Sequence, residues 1–478
     1  MSNQVFSILE DAAAKWLNRT AIIEQGERKS FGQLHESALK LSEIIETNID
    51  LKCKGIGFLC GNSAAFVIGL FAIAKTGAIA MPVLPGTHEG EIIKLFQEAS
   101  VNVLLAEKGS GLTFSAGVQR VSINEQFDLF IFPDIKSQNI DSLFPGAAFI
   151  RPSSGTTGNS KGVVISHRAV FERTAAANNG LMLNENDVML WVLPMAFHFV
   201  VSVLLYIRYG VCMIITDHFT AEAIVTNANL YYATHLYASP LHYRLLAAER
   251  SDNKFNTLKK AISTSALLEP AVSKAFFDKY GIPVSQAYGI IEIGLPFINN
   301  ERKNNKSESI GKALPEYSAA ILDEHGRALP IGSRGAFAIK GPGMFSGYLW
   351  PVVSLEEVLA DSWFLTGDVA EMDKDGFVFI KGRTKSMINV SGNKVFPEEV
   401  EAVLKLHPEV EESRVYGGKH PVTGELVEAE IVLKLDAEKN IEKIISHCRQ
   451  HLLSYKVPQR IFFVDEIRKT KTGKIKRS

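Results

Sequence analysis

Cysteine is scarce, with four thiols in 478 residues: Cys53, Cys60, Cys212 and Cys448. Their spacing matches no disulfide framework and no metal-ligand set, and their mostly apolar or helical surroundings read as buried free thiols. The twelve histidines are scattered, and no transition-metal site is implied. Net charge is nearly absent as well. A formal value of −1 gives no global field that would draw the chain to nucleic acid or an anionic membrane. The opening Met-Ser-Asn-Gln-Val-Phe lacks a basic segment followed by a long apolar run, so no secretory signal is read and a cytoplasmic location is expected. Internal repeats and low-complexity tracts are missing. One uncharged stretch, residues 189–207, is long enough to span a bilayer. Pro194 interrupts it early, His198 sits at its middle and Arg208-Tyr209-Gly210 follows it. A buried strand over 188–193 followed by a buried helix therefore fits better than a membrane span.

What is present suits a globular protein of several domains, with 46% hydrophobic and 22% charged residues. Helical periodicity over 64–75 gives way at Thr76-Gly77 to an apolar strand over 78–83. An amphipathic helix over 89–99 precedes a strand over 101–106. This alternation predicts an α/β fold in which parallel sheets are covered by helices. Between 318 and 339, short strands punctuated by Asp323-Glu324-His325-Gly326 and Ile331-Gly332-Ser333 suggest an antiparallel, β-barrel-like subdomain. After Gly382 comes an α+β module of strands near 386–390, 412–416 and 428–435 and helices over 397–406 and 441–452. It joins the rest at Arg383-Thr384-Lys385 with no floppy linker, as a hinge between rigid bodies requires. The expected division is a large domain over 1–382, a hinge at 383–385 and a small mobile domain over 386–478.

The segment Ser153-Ser154-Gly155-Thr156-Thr157-Gly158-Asn159-Ser160-Lys161-Gly162-Val163 holds five hydroxyls, three glycines and one lysine. Glycines let a backbone turn its N–H groups toward an anion, while hydroxyls and an ammonium complete a cradle for polyphosphate. The spacing differs from Gly-x-x-x-x-Gly-Lys-Ser/Thr. A flexible surface loop is the other reading, but apolar strands at 146–150 and 162–165 hem the segment in.

This loop resembles the phosphate signature of the adenylate-forming superfamily, which includes acyl-CoA synthetases, adenylation domains and luciferases. Tyr288-Gly289-Ile290-Ile291-Glu292 is similar to that family's Tyr-Gly-x-Thr-Glu. Thr366-Gly367-Asp368, Gly382-Arg383-Thr384-Lys385 and Lys471-Thr472-Gly473-Lys474-Ile475 resemble its later motifs in order, and the likeness runs from about 55 to 476. The resemblance implies ATP-dependent conversion of a carboxylic acid to an acyl adenylate, with ATP, Mg²⁺ and coenzyme A as co-substrates or cofactors. It implies a nucleotide site of Ser154, Gly155, Thr156, Thr157, Gly158, Lys161, Tyr288, Gly289, Asp368 and Arg383. Tyr288 would stack on adenine and Asp368 would accept the ribose hydroxyls. Glu292, with Thr157, would hold Mg²⁺ as hard oxygen ligands. Lys474 would be delivered by the small domain to the α-phosphate and carboxylate, and Lys385 would be the pivot. A surface turn for Glu292 and an inert tail for Lys474 are the bland alternatives.

No Asp or Glu occurs from 188 to 209, so a substrate ammonium buried there would lack a counter-charge. His198 fits the Phe-His pattern of fatty- and aryl-acid ligases, where the ring closes the carboxylate end of the pocket; a hydrogen-bonded core histidine is the alternative. The segment from Val390 to Glu401 is similar to a thiolation loop in which Gly392 would let a pantetheine arm pass. Coenzyme A and a carrier protein present the same arm, and both stay open as acceptors. Ile291 replaces the usual Thr, Ser263-Thr264-Ser265-Ala266 a Gly-rich run and Ser160 a Pro. These departures leave room for a degenerate nucleotide-binding paralogue without activity.

Overall fold

The computed structural model describes residues 4–49, 51, 54–114, 117–153, 161–216, 220–300, 306–390, 393–420, 424–469 and 475. Their contacts divide into two units. The first holds the described residues up to Ser318 together with Lys340–Ser362, and the second holds Ala319–Ile339 and the described residues from Trp363 onward.

The first unit contains two nine-stranded mixed sheets. In one, Ala147–Ser153, Ile79–Val83, Gly55–Leu59 and Val103–Glu107 run parallel in that order. Gly55–Leu59 and Ile79–Val83 are buried along their whole length, the apolar run of a strand covered on both faces. The helix Ala64–Lys75 buries every residue but Lys75, which explains an apolar pattern that extends all round it. Its amino end is fixed by Ser63, whose Oγ accepts the Phe66 N–H at 3.2 Å. In the other sheet, six parallel strands lie in the order Thr20–Glu24, Cys212–Ile215, Val188–Trp191, His235–Ala238, Lys260–Ser263 and Val284–Ile290. The antiparallel strand Gly294–Asn299 follows Val284–Ile290. Carboxyl ends of adjacent parallel strands form the crevice where open α/β sheets bind ligands.

The uncharged stretch resolves as the expected buried strand, Val188–Trp191, and then as a broken rather than continuous helix. A helical turn at Met195–His198, a 3₁₀ turn at Phe199–Val201 and a helix at Val203–Arg208 succeed one another. Among the described residues no helix is long and apolar enough to cross a membrane.

In the second unit, Ser318–Leu322, Arg334–Lys340, Phe364–Met372 and Val378–Arg383 form a four-stranded sheet. It is an open sheet, where the sequence suggested barrel-like closure. Four strands are too few to close around a packed interior. The carboxy-terminal α+β region is a five-stranded sheet with Gly424–Leu433 paired to Val410–His420, Ile388–Val390 and Arg460–Phe463. The helices Pro397–Leu406 and Ile441–His451 contribute Val400, Leu404, Ile444 and Cys448 to its core.

Candidate active site

The two apolar strands flanking the hydroxyl- and glycine-rich segment pair antiparallel, Ala147–Ser153 with Lys161–Ser166, and bring Ser153 opposite Lys161. Ser154, Gly155, Thr156, Thr157, Gly158, Gly392 and Lys474 lie outside the described residues. Lys161 opens the return strand. On its other edge that strand pairs with Gly347–Leu349, in register Val163 to Tyr348. The pairing places the Lys161 ammonium 4.0 Å from the centroid of the Tyr348 ring. The Tyr348 hydroxyl in turn donates to Glu292 Oε1 at 3.1 Å. Lys161 and Glu292, separated by more than a hundred residues of chain, are thus joined through one tyrosine.

That tyrosine was not legible as a site residue, because Gly347-Tyr348-Leu349 reads as an ordinary strand. Burial pushes its hydroxyl well above the ordinary tyrosine range, and the neighbouring Glu292 carboxylate adds to the shift. It therefore keeps its proton and acts as a donor. The half-buried Glu292 carboxyl is raised by desolvation, while the Tyr348 hydrogen bond, the Arg173 guanidinium and the Lys161 ammonium pull it down.

Glu292 is held by a turn between Val284–Ile290 and Gly294–Asn299. Pairing shifts register between Tyr288 and Ile290, and a Cβ on Gly289 would come within 2.5 Å of the Gly294 carbonyl oxygen. Only glycine fits so close an approach. Tyr288 meets Phe297 edge-on at 6.1 Å and is half-buried.

The turn's anchor is Arg173, a second residue that the sequence reading missed. It is 1% exposed, on the helix His167–Leu181. Its Nη1 donates to the Ile291 carbonyl at 2.7 Å, its Nη2 to the Glu292 carbonyl at 2.9 Å and its Nε to the Gly343 carbonyl. Gly343 sits at φ +69°, and a Cβ there would lie 2.5 Å from the arginine's Cγ. Burial pushes this guanidinium down to about 10, so it remains charged at neutral pH. A signal was available, since Arg173 sits among Ala169, Val170, Ala176 and Ala177 on the buried face of the helix.

His198 lies beyond the carboxyl end of Val188–Trp191, half-buried and 6.3 Å from the Trp191 ring. The exit of that strand is clamped by Asn62, which donates to the Leu193 carbonyl at 2.8 Å and accepts the Met195 N–H at 2.8 Å. Ser263, at the end of a neighbouring strand, is 1% exposed. Its Oγ and that of Ser265 have no hydrogen-bond partner among the described residues.

In the second unit, Asp368 and Arg383 are opposite one another in the pairing of Phe364–Met372 with Val378–Arg383. Arg383 Nε stands 2.9 Å from Asp368 Oδ1, and Asp368 is 4% exposed. Thr366 Oγ accepts the Asp368 N–H at 3.1 Å and donates to the Phe337 carbonyl at 3.0 Å, which explains the spacing of Thr-Gly-Asp. Lys385 is exposed within the 3₁₀ turn Thr384–Ser386.

The pattern that describes AMP-binding enzymes matches residues 9–349, well over half of the chain, and that of the AMP-binding enzyme C-terminal domain matches 399–474. The chain belongs to the AMP-binding enzyme family. This AMP-binding enzyme is similar to a long-chain-fatty-acid–CoA ligase of Yersinia pestis, 28% identical, with 99% of this chain and 93% of that protein covered. It is also similar to an oxalate–CoA ligase of Arabidopsis thaliana, 26% identical, with 100% and 98% covered. Its fold matches that of ATP-bound MatB from Rhodopseudomonas palustris with a TM-score of 0.85 at 23% identity, over 100% of this chain and 97% of that one.

Proposed function

We propose that this AMP-binding enzyme is an AMP-forming acid–CoA ligase acting on a fatty or aryl acid. The observation that supports it most is the Lys161–Tyr348–Glu292 cluster, whose lysine opens the strand that follows the hydroxyl- and glycine-rich segment. A cation and a carboxylate held apart by one hydrogen-bonding ring can serve polyphosphate and its counter-ion respectively. The relatives' names support the thiol acceptor: those of Yersinia pestis and Arabidopsis thaliana are both CoA ligases.

In the first half-reaction a carboxylate oxygen attacks the α-phosphorus of ATP in line, the bond to the bridging oxygen breaks, and pyrophosphate leaves. Lys161 and the hydroxyls of Thr156 and Thr157 bind the phosphates, and Lys474 neutralises charge developing on the α-phosphate. Tyr288 and Asp368 hold adenosine, with Arg383 beside the ribose. His198 closes the carboxylate end of the acid pocket. Mg²⁺, held by Glu292 and Thr157, would supply charge neutralisation on the phosphates. A single half-buried carboxylate fits it, because Mg²⁺ bound to phosphates keeps several waters and takes only one or two protein carboxylates.

In the second half-reaction the coenzyme A thiol, as its thiolate, attacks the adenylate carbonyl and AMP leaves. The proposed moving body is 386–478, pivoting at 383–385 about Lys385 against 1–382, with the pantetheine arm passing Gly392. Pyrophosphate–ATP exchange across fatty, aryl and amino acids tests the reading. Exchange that depends on a fatty or aryl acid, with thioester formed on adding coenzyme A, is the expected result. Thioester formed only on a holo-carrier protein would change the acceptor. No exchange with any acid would leave a nucleotide-binding protein without this activity.

A further inference from the structure

Arg151 is charged, buried and so far without a role. It lies on the strand Ala147–Ser153, two residues before its end, and is 5% exposed. Strand alternation places it on the same face as Phe149, and both side chains meet Phe199: the Phe149 ring edge-on at 4.8 Å, the guanidinium carbon at 5.6 Å from the ring centroid. The guanidinium carbon also stands 5.1 Å from the Phe197 ring. These two rings bracket His198. Among the described residues Arg151 has no hydrogen bond and no ion pair, and its guanidinium faces the two rings. Burial alone pushes its guanidinium down to about 9, and no carboxylate pulls it back up. It therefore keeps its charge at neutral pH, inside an apolar layer that also contains Phe66.

An uncompensated buried cation is costly, and contact with ring faces offsets only part of that cost. A planar guanidinium with free donors suits a carboxylate, which it can grip with two parallel hydrogen bonds. In the proposed function the reacting carboxylate meets the α-phosphate, which is assigned to the hydroxyl- and glycine-rich segment that follows this strand. Arg151 stands back from the end of its strand at Ser153 by two residues, on the order of 7 Å, on the side of Phe197 and Phe199. An anion reaching it belongs to the other end of the acid.

We propose that Arg151 is a specificity residue that pairs with a second carboxylate on the substrate, so that the preferred acids are dicarboxylates rather than simple monoacids. This inference rests on the acid–CoA ligase reading and narrows its substrate class. A substrate whose tail ends in a methyl group would leave the guanidinium unpaired; one ending in carboxylate neutralises it on binding. The rings at 197 and 199 fit the methylene or aryl spacer between the two acidic ends.

The test compares a chain-length series of α,ω-dicarboxylates and benzene dicarboxylates with monocarboxylates of equal carbon number, by pyrophosphate–ATP exchange. The wild-type kcat/KM for the best diacid is expected to exceed that of its matched monoacid at least about tenfold, the worth of a charged hydrogen bond. Arg151→Leu should abolish that preference, leaving the monoacid rate equal or higher and the KM for ATP unchanged. Arg151→Lys should retain part of it. Should Arg151→Leu fail to fold, Arg151→Gln and the wild-type preference itself decide. A wild-type enzyme that favours monoacids, or equal losses for both acids in Arg151→Leu and Arg151→Gln, overturns the proposal. Calorimetric titration of the same acids separates this failure from that of the ligase reading. Diacid binding that needs Arg151, without exchange, would sink the ligase reading alone; neither binding nor exchange would sink both.

Discussion

Tyr348 links the two charged groups of the candidate site, and its hydroxyl bears directly on the ionisation of Glu292. A carboxyl lifted by burial needs donors to stay ionised, and the tyrosine supplies one. In the proposed function Glu292 holds Mg²⁺ only when charged, so activity should be present above its pKa and lost as pH falls through it. Removing the Tyr348 hydroxyl raises that pKa further and moves the acid limb of the rate profile toward neutrality. Tyr348→Phe is expected to lower exchange at neutral pH roughly tenfold, about 1.4 kcal/mol. An exchange profile against pH checks this; an unmoved acid limb would remove Tyr348 from the account. The motif that carries Glu292 was legible from five residues of sequence. Tyr348 was not, because its role comes from strand pairing with residues near 163, a contact that no local pattern encodes.

At the scale of elements, Arg173 ties one helix to the turn that presents Glu292 and to the loop at Gly343. Replacing it with Leu strands one buried and two half-buried carbonyls, and the expected cost is about 3 kcal/mol of stability. Arg173→Lys should recover only part of this, since one ammonium cannot span three acceptors. Thermal unfolding and the KM for ATP measure both effects, and equal stability of wild type and Arg173→Leu would refute the bracing role. Helix Pro240–Ala248 gives a pH-dependent case. His242 Nδ1 accepts the Ser239 N–H at 3.4 Å, and burial pushes the ring down to about 4. The unfolded ring titrates near the ordinary 6.5, so the unfolded state takes up the proton first as pH falls. Stability present above about 6.5 is lost on descending toward 4, by up to roughly 3 kcal/mol from this group. Urea unfolding at neutral and acid pH should show a smaller fall for His242→Gln than for wild type. The helices Ala64–Lys75, Glu89–Ala99 and Pro397–Leu406 were legible to the residue, because helical periodicity and the residues that break it are local. The break after Pro194 was legible, but not the three short turns that follow it. Nor was the open four-stranded sheet, since closure depends on pairings between distant strands.

At the scale of the whole molecule, motifs in order along the chain revealed the family, and they did so because chemistry fixes residue identities more tightly than packing does. Substrate class was less legible: the residues proposed to meet the acid lie on strands and turns far apart in sequence, and Arg151 becomes informative only through its surroundings. The proposed two-conformation cycle makes a prediction at this scale. Lys474→Ala should slow adenylate formation by about two orders of magnitude or more, with little effect on thioester formation from supplied acyl adenylate. Equal losses in both half-reactions, measured by single-turnover assays, would contradict a swinging small domain. In the proposed ligase reaction the acid's own oxygen displaces pyrophosphate from ATP. Turnover with a carboxylate labelled in both oxygens by ¹⁸O, followed by mass analysis of the nucleotide product, tests it directly. AMP carrying one ¹⁸O atom is expected; unlabelled AMP, or labelled phosphate released with ADP, would rule out attack by the carboxylate on the α-phosphorus.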